Sequence, residues 1–174
     1  MKVGIISYSL TGNNETLASG LASAFSAEHI RISETHARSM STSILDMLFN
    51  RVPKIIFHFT EVAAYDLILF VGPVWAGKVA SPFRACFRQL QSRIGDYAFV
   101  SISGGAMGPN PKLSSDLAKW LKKDPVSVID LHIADLLPKT KKPKAADTGA
   151  YRITKDDARK LTATVETELR KIIG

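Results

Sequence analysis

A turn rich in hydroxyl and amide side chains follows the first apolar run of the sequence, Val3 to Ile6. It contains one glycine and no lysine or arginine, and its residues are Ser9, Leu10, Thr11, Gly12, Asn13 and Asn14. The next segment places Leu17 and Leu21 on one face, which predicts a helix that begins at this turn. The start of a helix offers backbone N–H donors and a positive dipole end, which can hold a phosphate without a cation. The same turn could serve only as a helix cap, and composition alone leaves both interpretations open.

Two later turns contain residues that could contact a flat ligand. The apolar run Leu67 to Val71 is followed, after one glycine, by Pro73, Val74, Trp75, Ala76, Gly77 and Lys78. A tryptophan on a loop has a large apolar face to cover. The run Tyr97 to Ile102 is followed by Ser103, Gly104 and Gly105, whose small size permits a close approach of the backbone. The four histidines lack metal-ligand spacing, so no metal site is predicted.

Five short strands that alternate with helical segments must position these turns. We expect the strands at residues 3–6, 29–32, 67–71, 97–102 and 126–131. Alternation of this kind predicts one doubly wound α/β domain over residues 1–174, with a parallel sheet and helices on both faces. Strands 1, 3 and 4 are nearly continuous apolar runs, as buried strands are, whereas strand 2 alternates polar and apolar residues and strand 5 is interrupted by two polar residues, so these two fit the edges. The predicted order is therefore 2-1-3-4-5, the flavodoxin-like variant of this fold.

Two segments fit this scheme less directly. Within residues 34–64, the apolar positions from Ile44 to Phe49 predict a helix that ends before Pro53, and the run Ile55 to Phe59 is interpreted as core cover, with a lid or a self-association surface as alternatives. Residues 138–152 are rich in lysine and proline and predict an exposed, mobile basic loop. Cys86 lies beside the apolar stripe of a predicted helix and is expected to be a core thiol.

The composition, with 45% hydrophobic and 22% charged residues, excludes a disordered chain. No apolar run reaches the roughly 18 residues of a membrane span, and no signal peptide is recognisable, so a cytoplasmic protein is expected. The formal net charge of +7 could attract nucleic acid, anionic surfaces or phosphorylated ligands. A binding module for nucleic acid or an anionic surface is therefore the alternative from another class. The lysines of this sequence cluster in the loop at residues 138–152, without aromatic residues between them. This pattern favours a solvated loop over a nucleic-acid site.

The turn at residues 9–14 resembles the phosphate loop of the flavodoxin family, (S/T)-x-T-G-N-T, with Asn14 where the family usually has threonine. Residues 73–77 are similar to the P-(V/I)-W-x-G segment that lines the isoalloxazine ring in that family, and residues 103–105 fall at the family's third loop. The resemblance implies noncovalent FMN as the cofactor, held by residues 9–14, 73–78 and 103–105, with no catalytic side chain supplied by the protein. It also implies that Asn14 keeps a side-chain donor for the phosphate and that Thr16 can supply the displaced hydroxyl.

Within this family resemblance two functions compete. Many electron-carrier flavodoxins place a tyrosine in the third loop, where this sequence has no aromatic residue, so one face of the ring would stay open. Lys78, if it points toward the ring, would stabilise negative charge on reduced flavin. These features favour an oxidoreductase with a small-molecule substrate of the quinone type and NAD(P)H as candidate donor. The alternative is a one-electron carrier between redox partner proteins.

Overall fold

The computed structural model describes residues 1–35, 46, 51–57, 62–91, 93–106, 108–138 and 143–173. Its strands in chain order are β1 (Val3–Ser7), β2 (Glu28–Arg31), β3 (Ser33–Glu34), β4 (Ile55–Ile56), β5 (Leu67–Val71), β6 (Val74–Trp75), β7 (Lys78–Val79), β8 (Asp96–Ser103) and β9 (Ser127–His132). Five of them form a parallel sheet in the order β2-β1-β5-β8-β9. This is the predicted order 2-1-3-4-5, so the predicted fold class is confirmed.

Burial of the strands follows their residue types. Every residue of β1 and β5 is buried, and β8 is buried from Tyr97 onward. Strands β2 and β9 are partly exposed, because each has a neighbour on one side only. The nearly continuous apolar runs therefore occupy the centre of the sheet, and the two runs richer in polar residues lie at its edges, as predicted.

Helices cover both faces of this sheet. They are α1 (Asn13–Phe25), α2 (Ser81–Leu90), α3 (Leu113–Leu121), α4 (Ala145–Ala150) and α5 (Lys155–Ile173). Helices α1 and α5 pack on one face through Leu17, Leu21, Val165 and Leu169. Helices α2 and α3 pack on the other face, around an aromatic core that includes Phe70, Phe83 and Phe87. None of the described helices is long and apolar enough to cross a membrane.

Among the described helices, the large apolar side chains pack toward the core with one exception. The exception is Ile172 in α5, which is 48% exposed, whereas its neighbour Ile173 packs against the core on the α1 and α5 side. Cys86 is fully buried in α2, and this burial raises the pKa of its thiol well above the ordinary value. The prediction of a core thiol is confirmed.

The prediction of an exposed, mobile loop over residues 138–152 is wrong for residues 145–150, which form α4. The carboxylate of Asp147 accepts a hydrogen bond from the Lys144 N–H at 3.0 Å and so caps the helix. Thr148 is 3% exposed and packs inward, and the ring of Tyr151 and the side chain of Ile153 contact the core. These contacts hold the segment against the domain. Residues 139–142 lie outside the described part.

The segment between β3 and β5 is described in part. Strand β4 pairs with β3 in antiparallel fashion, and Ile55 and Phe57 pack against the core on the α2 and α3 side. The prediction that this run covers the hydrophobic core is thus confirmed for Ile55 and Phe57. Ile56, which lies between them, is 46% exposed. Of the predicted helix over Ile44 to Phe49 only residue 46 is described, and residues 58 and 59 lie outside the described residues.

Helix α5 begins at a reciprocal capping pair. Thr154 Oγ1 accepts a hydrogen bond from the Asp157 N–H at 3.1 Å, and Asp157 Oδ2 accepts from the Thr154 N–H at 2.9 Å and from its hydroxyl at 2.7 Å. Thr154 is therefore the N-cap residue of α5. These hydrogen bonds from Thr154 lower the pKa of Asp157. A carboxyl group with a lowered folded-state pKa stabilises the fold above its unfolded pKa, and this contribution is lost as the pH falls through the folded-state value.

The variant Thr154→Ala is expected to lower the free energy of unfolding by about 1 kcal/mol near neutral pH. The difference from the unmodified protein should shrink as the pH falls below the ordinary aspartate pKa of about 4, because the stabilisation is lost by the time Asp157 is protonated in the folded protein. Urea unfolding near neutral pH and at acid pH measures the stability loss and its decrease at low pH. As the control, Thr167→Ala removes an exposed α5 hydroxyl that donates only to Ala163 O, and it should change little. A loss for Thr154→Ala that stays equal at both pH values would contradict the assigned role of Asp157.

Candidate functional site

The three predicted turns meet at the carboxyl edge of the sheet. The Tyr8 N–H donates to Val71 O at 3.1 Å, which ties the start of the first turn to the end of β5. The rings of Tyr8 and Trp75 meet edge to face with centroids 6.2 Å apart. The hairpin also lies close to Asn110, which follows the third turn, because a Cβ placed on Gly77 would be 3.6 Å from Asn110 Oδ1. This edge is where ligands bind in doubly wound sheets.

The first turn leaves an open surface at the start of α1. Gly12 is the N-cap residue and has φ of 91°, a left-handed conformation that favours glycine. No atom lies within 4 Å of the position that a Cβ on Gly12 would take. Its N–H donates to Ser9 Oγ at 3.0 Å, which holds the turn. The next N–H groups of α1 have no acceptor within the helix, so they can serve an anion above it.

Glu15 lies in the first turn of α1, but its negative charge does not prevent an anion from binding at this surface. The Glu15 carboxylate accepts the hydroxyl of Ser7 at 2.9 Å and pairs with the guanidinium of Arg31. Nε2 of His29 lies 2.8 Å from Ser7 Oγ. Burial lowers the pKa of His29, so its imidazole is predominantly neutral at pH 7. The negative charge of Glu15 is balanced by Arg31, and the positive end of the helix dipole remains available.

The side chain of Asn14 pairs with the backbone of the neighbouring strand β8. It is 2% exposed, its Oδ1 accepts from the Ile102 N–H at 2.9 Å, and its Nδ2 donates to Ile102 O at 3.1 Å. The hydroxyl of Thr16, expected to replace the family's threonine, donates to Gly12 O at 3.0 Å. Each of these donors thus has a backbone partner in this structure, and a phosphate contact of either side chain stays a prediction. Asn14 joins the start of α1 to β8.

Asn13 is engaged in the same way on the other side. Its Nδ2 donates to Tyr151 O at 3.0 Å, and its Oδ1 accepts from the Ile153 N–H at 3.1 Å. The side chain thus holds the segment between α4 and α5 next to the first turn. Residues 9–14 remain the predicted phosphate loop, with the backbone N–H groups at the start of α1 as donors.

The hairpin after β5 presents the predicted aromatic residue. Strands β6 and β7 are joined by Ala76 and Gly77, whose φ angles of 45° and 74° fit a type I′ turn. Trp75 is partly exposed and packs against the core on the α2 and α3 side. Lys78 pairs with Trp75 in the hairpin, and its side chain lines a groove between α2 and α3. Contact of either residue with a flavin ring stays a prediction.

The glycines of the third turn have a packing role that the sequence did not indicate. A Cβ on Gly104 would lie 2.9 Å from Thr148 Oγ1 in α4. Gly105 has φ of 72°, and a Cβ there would lie 2.4 Å from Cβ of His132. The missing side chains therefore make room for neighbouring protein atoms. The ligand contacts predicted for Ser103, Gly104 and Gly105 stay predictions.

A polar network around Asp130 positions this third turn, and sequence reasoning missed it. The Asp130 carboxylate accepts from the Ser101 hydroxyl and from Asn110 Nδ2 at 2.7 Å, and it lies 3.1 Å from His132 Nε2. It thus joins β8, β9 and the residues before α3. The available signal was an acidic residue inside the fifth apolar run, which we used only to place that strand at an edge.

Among the described residues, no group of three or more histidine, cysteine, aspartate or glutamate side chains is arranged to hold a metal ion. The uncharged first turn, the partly exposed Trp75 and the small third turn lie at the same edge of the sheet. The sites of greatest interest are therefore the start of α1 and the adjoining hairpin.

Comparison with solved structures agrees with this architecture. The flavoprotein from Lactobacillus acidophilus in complex with FMN has a TM-score of 0.65 and 26% identity, and the match covers 74% of this chain and 92% of that one. Its apo form has a TM-score of 0.60 and 22% identity, covering 77% and 94%. A Bacteroides eggerthii protein named as a flavoprotein has a TM-score of 0.65 and 16% identity, covering 76% and 87%. No protein-family model and no curated protein matches the chain. The resemblance to flavoproteins of flavodoxin-like fold is confirmed.

Proposed function

We propose that this protein binds FMN noncovalently at the carboxyl edge of its sheet and serves in electron or hydride transfer. The observation that carries the proposal is the start of α1, where an exposed Gly12 with φ of 91° leaves open space above N–H groups that have no acceptor within the helix. The 26% identical flavoprotein of the same fold, solved in complex with FMN, supports the same cofactor.

The residues present fit the parts of FMN. Main-chain N–H groups at the start of α1, with Ser9 and Thr11, would hold the phosphate, and no lysine is needed because the helix dipole favours an anion there. The hairpin would place the ring of Trp75 against one face of the isoalloxazine, and the third turn would border its other side. FMN, when bound, would supply the redox chemistry, and the protein would position the cofactor.

We further propose that the partner in this transfer is a small molecule of the quinone type, with NAD(P)H as donor. The support is the third turn, which has no aromatic residue anywhere in residues 103–110 to cover the outer face of the ring. A substrate that exchanges a hydride must stack on such an open face. The second candidate is a one-electron carrier between proteins, which is favoured by the basic groove next to Lys78.

Titration of the apoprotein with FMN and with riboflavin tests cofactor binding. Riboflavin has the same ring but lacks the phosphate, so it serves as the matched control ligand. We expect a dissociation constant for FMN in the micromolar range or below and about tenfold or more weaker binding of riboflavin, since charge-assisted hydrogen bonds to the phosphate are lost. Fluorescence quenching of the flavin measures both. Equal affinities would mean that the start of α1 does not bind the phosphate, and failure to bind either would refute the proposal.

Reductive titration of the FMN-loaded protein distinguishes the two candidate functions. We expect the flavin to take up two electrons at one potential and the protein to turn over NAD(P)H with a quinone. Two separate one-electron steps without quinone turnover would instead make this protein an electron carrier.

A further inference from the structure

A basic groove of about 660 Å³ lies between α2 and α3, away from the start of α1. Its cationic residues come from three elements: Lys78 from the hairpin, Arg84 and Arg88 from α2, Lys119 from α3 and Lys122 from the C-cap of α3. They are 44 residues apart at most in sequence and are brought together by the packing of the two helices. The groove carries five cations and one acidic residue, Asp116.

Four of these cations are exposed and uncompensated. Among the described residues, Lys78, Arg88, Lys119 and Lys122 have no carboxylate within ion-pair distance. Some cations elsewhere on the surface are paired, as Lys123 is with Asp96 at 2.7 Å. Like charges held close together repel each other, and an anionic partner relieves that repulsion. The groove therefore has the electrostatic character of a binding surface.

The centre of the groove is held in place by an aromatic ring. The guanidinium carbons of Arg84 and Arg88 each lie 5.7 Å from the centroid of the Trp120 ring. Arg84 is 2% exposed, whereas Arg88 one turn later is exposed. Cation–π contact restricts the guanidinium of Arg88, so less conformational freedom is lost when it pairs with a carboxylate.

We propose that this groove docks an acidic segment of a partner protein. Helix α2 has ten residues and is about 15 Å long, so the cations form a strip that can pair with successive carboxylates rather than converge on one phosphate. Single-stranded nucleic acid binds through bases stacked on open aromatic rings, but both guanidiniums already contact the ring of Trp120. The groove includes Lys78 of the hairpin, which also carries Trp75, so a docked partner would lie beside the proposed flavin site.

The biological role assigned to this docking, electron exchange with the partner, rests on the proposed redox function, whereas binding itself does not. The test therefore uses full-length protein both without FMN and loaded with FMN, and the FMN content is determined separately from its absorption. A fluorescein-labelled poly-glutamate peptide is the probe, and binding is followed by fluorescence anisotropy at low and at physiological salt.

The variant Arg88→Glu with Lys119→Glu should weaken peptide binding about tenfold or more at low salt. The control, Lys155→Glu with Lys160→Glu, changes net charge equally through two exposed residues of α5 on the opposite face of the sheet, and it should weaken binding less than about threefold. A second groove variant, Lys119→Glu with Lys122→Glu, avoids the Arg88 contact with Trp120 and should behave like the first.

Equal weakening in the groove and control variants would refute docking in the groove, because it would show only the attraction of diffuse net charge. Tighter binding of a single-stranded DNA of equal charge than of the peptide would also overturn the proposal in favour of a nucleic-acid surface. Peptide binding by a protein that fails to take up FMN would support docking while refuting the redox function. FMN-loaded protein that does not bind the peptide at low salt would refute docking alone.

Discussion

Replacing Asn14 by alanine is expected to lower the free energy of unfolding by about 2–5 kcal/mol, because it leaves two buried backbone groups unpaired. The amide of Asn14 pairs with both the N–H and the carbonyl of Ile102 at 2.9 and 3.1 Å, and both residues are buried. The same change should weaken FMN binding, since α1 loses its link to the neighbouring strand. Urea unfolding with and without FMN measures both effects.

Two matched variants show whether this loss comes from the paired amide. In Asn13→Ala the lost partners, Tyr151 and Ile153, are only half-buried and can be solvated, so a smaller loss of about 1–2 kcal/mol is expected. Asn14→Thr restores the residue usual in the family's loop but cannot pair with both groups of Ile102, so it should also be destabilised. A stable Asn14→Thr variant that binds FMN more tightly would show that Asn14 merely replaces a phosphate ligand.

The sheet could be predicted from the sequence because the residue types within each run indicate how deeply that strand is buried. The continuous apolar runs at 3–6, 67–71 and 97–102 could satisfy both of their faces only at the centre of a sheet covered by helices. The position of the three turns at one edge then follows from parallel topology. This much requires no knowledge of any individual contact.

The roles of individual polar residues could not be predicted in this way. The partner of Asn14 is 88 residues distant in the chain, and the partners of Asn13 are more than 130 residues distant. Residue type shows that an amide can form two hydrogen bonds, but only the folded structure decides whether a ligand or a backbone group receives them. Helix α4 was missed for a similar reason, since buried Thr148 packs against Gly104 in a contact between distant segments.

The location of the positive charge was also beyond sequence reasoning. The net charge of +7 is a property of composition, and the dense run of lysines at 139–144 drew attention to one loop. The cations of the α2 and α3 groove are spread through residues 78–122 and become neighbours only when the two helices pack. A charge cluster that forms by tertiary packing is not visible as a run of charged residues in the sequence.

Replacing Gly105 by alanine is expected to lower the free energy of unfolding by about 2–5 kcal/mol, the sum of backbone strain and steric overlap. Its φ of 72° is unfavourable for alanine, and the new Cβ would lie 2.4 Å from Cβ of His132, a carbon bound directly to the backbone. Neither residue can relieve the overlap by a side-chain rotation. The third turn must therefore shift away from β9, which should also weaken FMN binding if the turn borders the ring.

Gly108→Ala is the matched control for this prediction, because Gly108 has a similar φ of 86° but no atom within 4 Å of a Cβ position. Gly108→Ala should lower the free energy of unfolding only through backbone strain, by about 1–2 kcal/mol. The difference in stability between the two variants therefore measures the steric overlap with His132. Chemical unfolding gives the stabilities, and FMN titration under conditions where both variants are folded gives the affinities. Equal stability losses would show that His132 moves aside without cost. Unchanged FMN affinity in a destabilised Gly105→Ala variant would remove residues 103–105 from the cofactor site and leave the ring held by the hairpin and the start of α1.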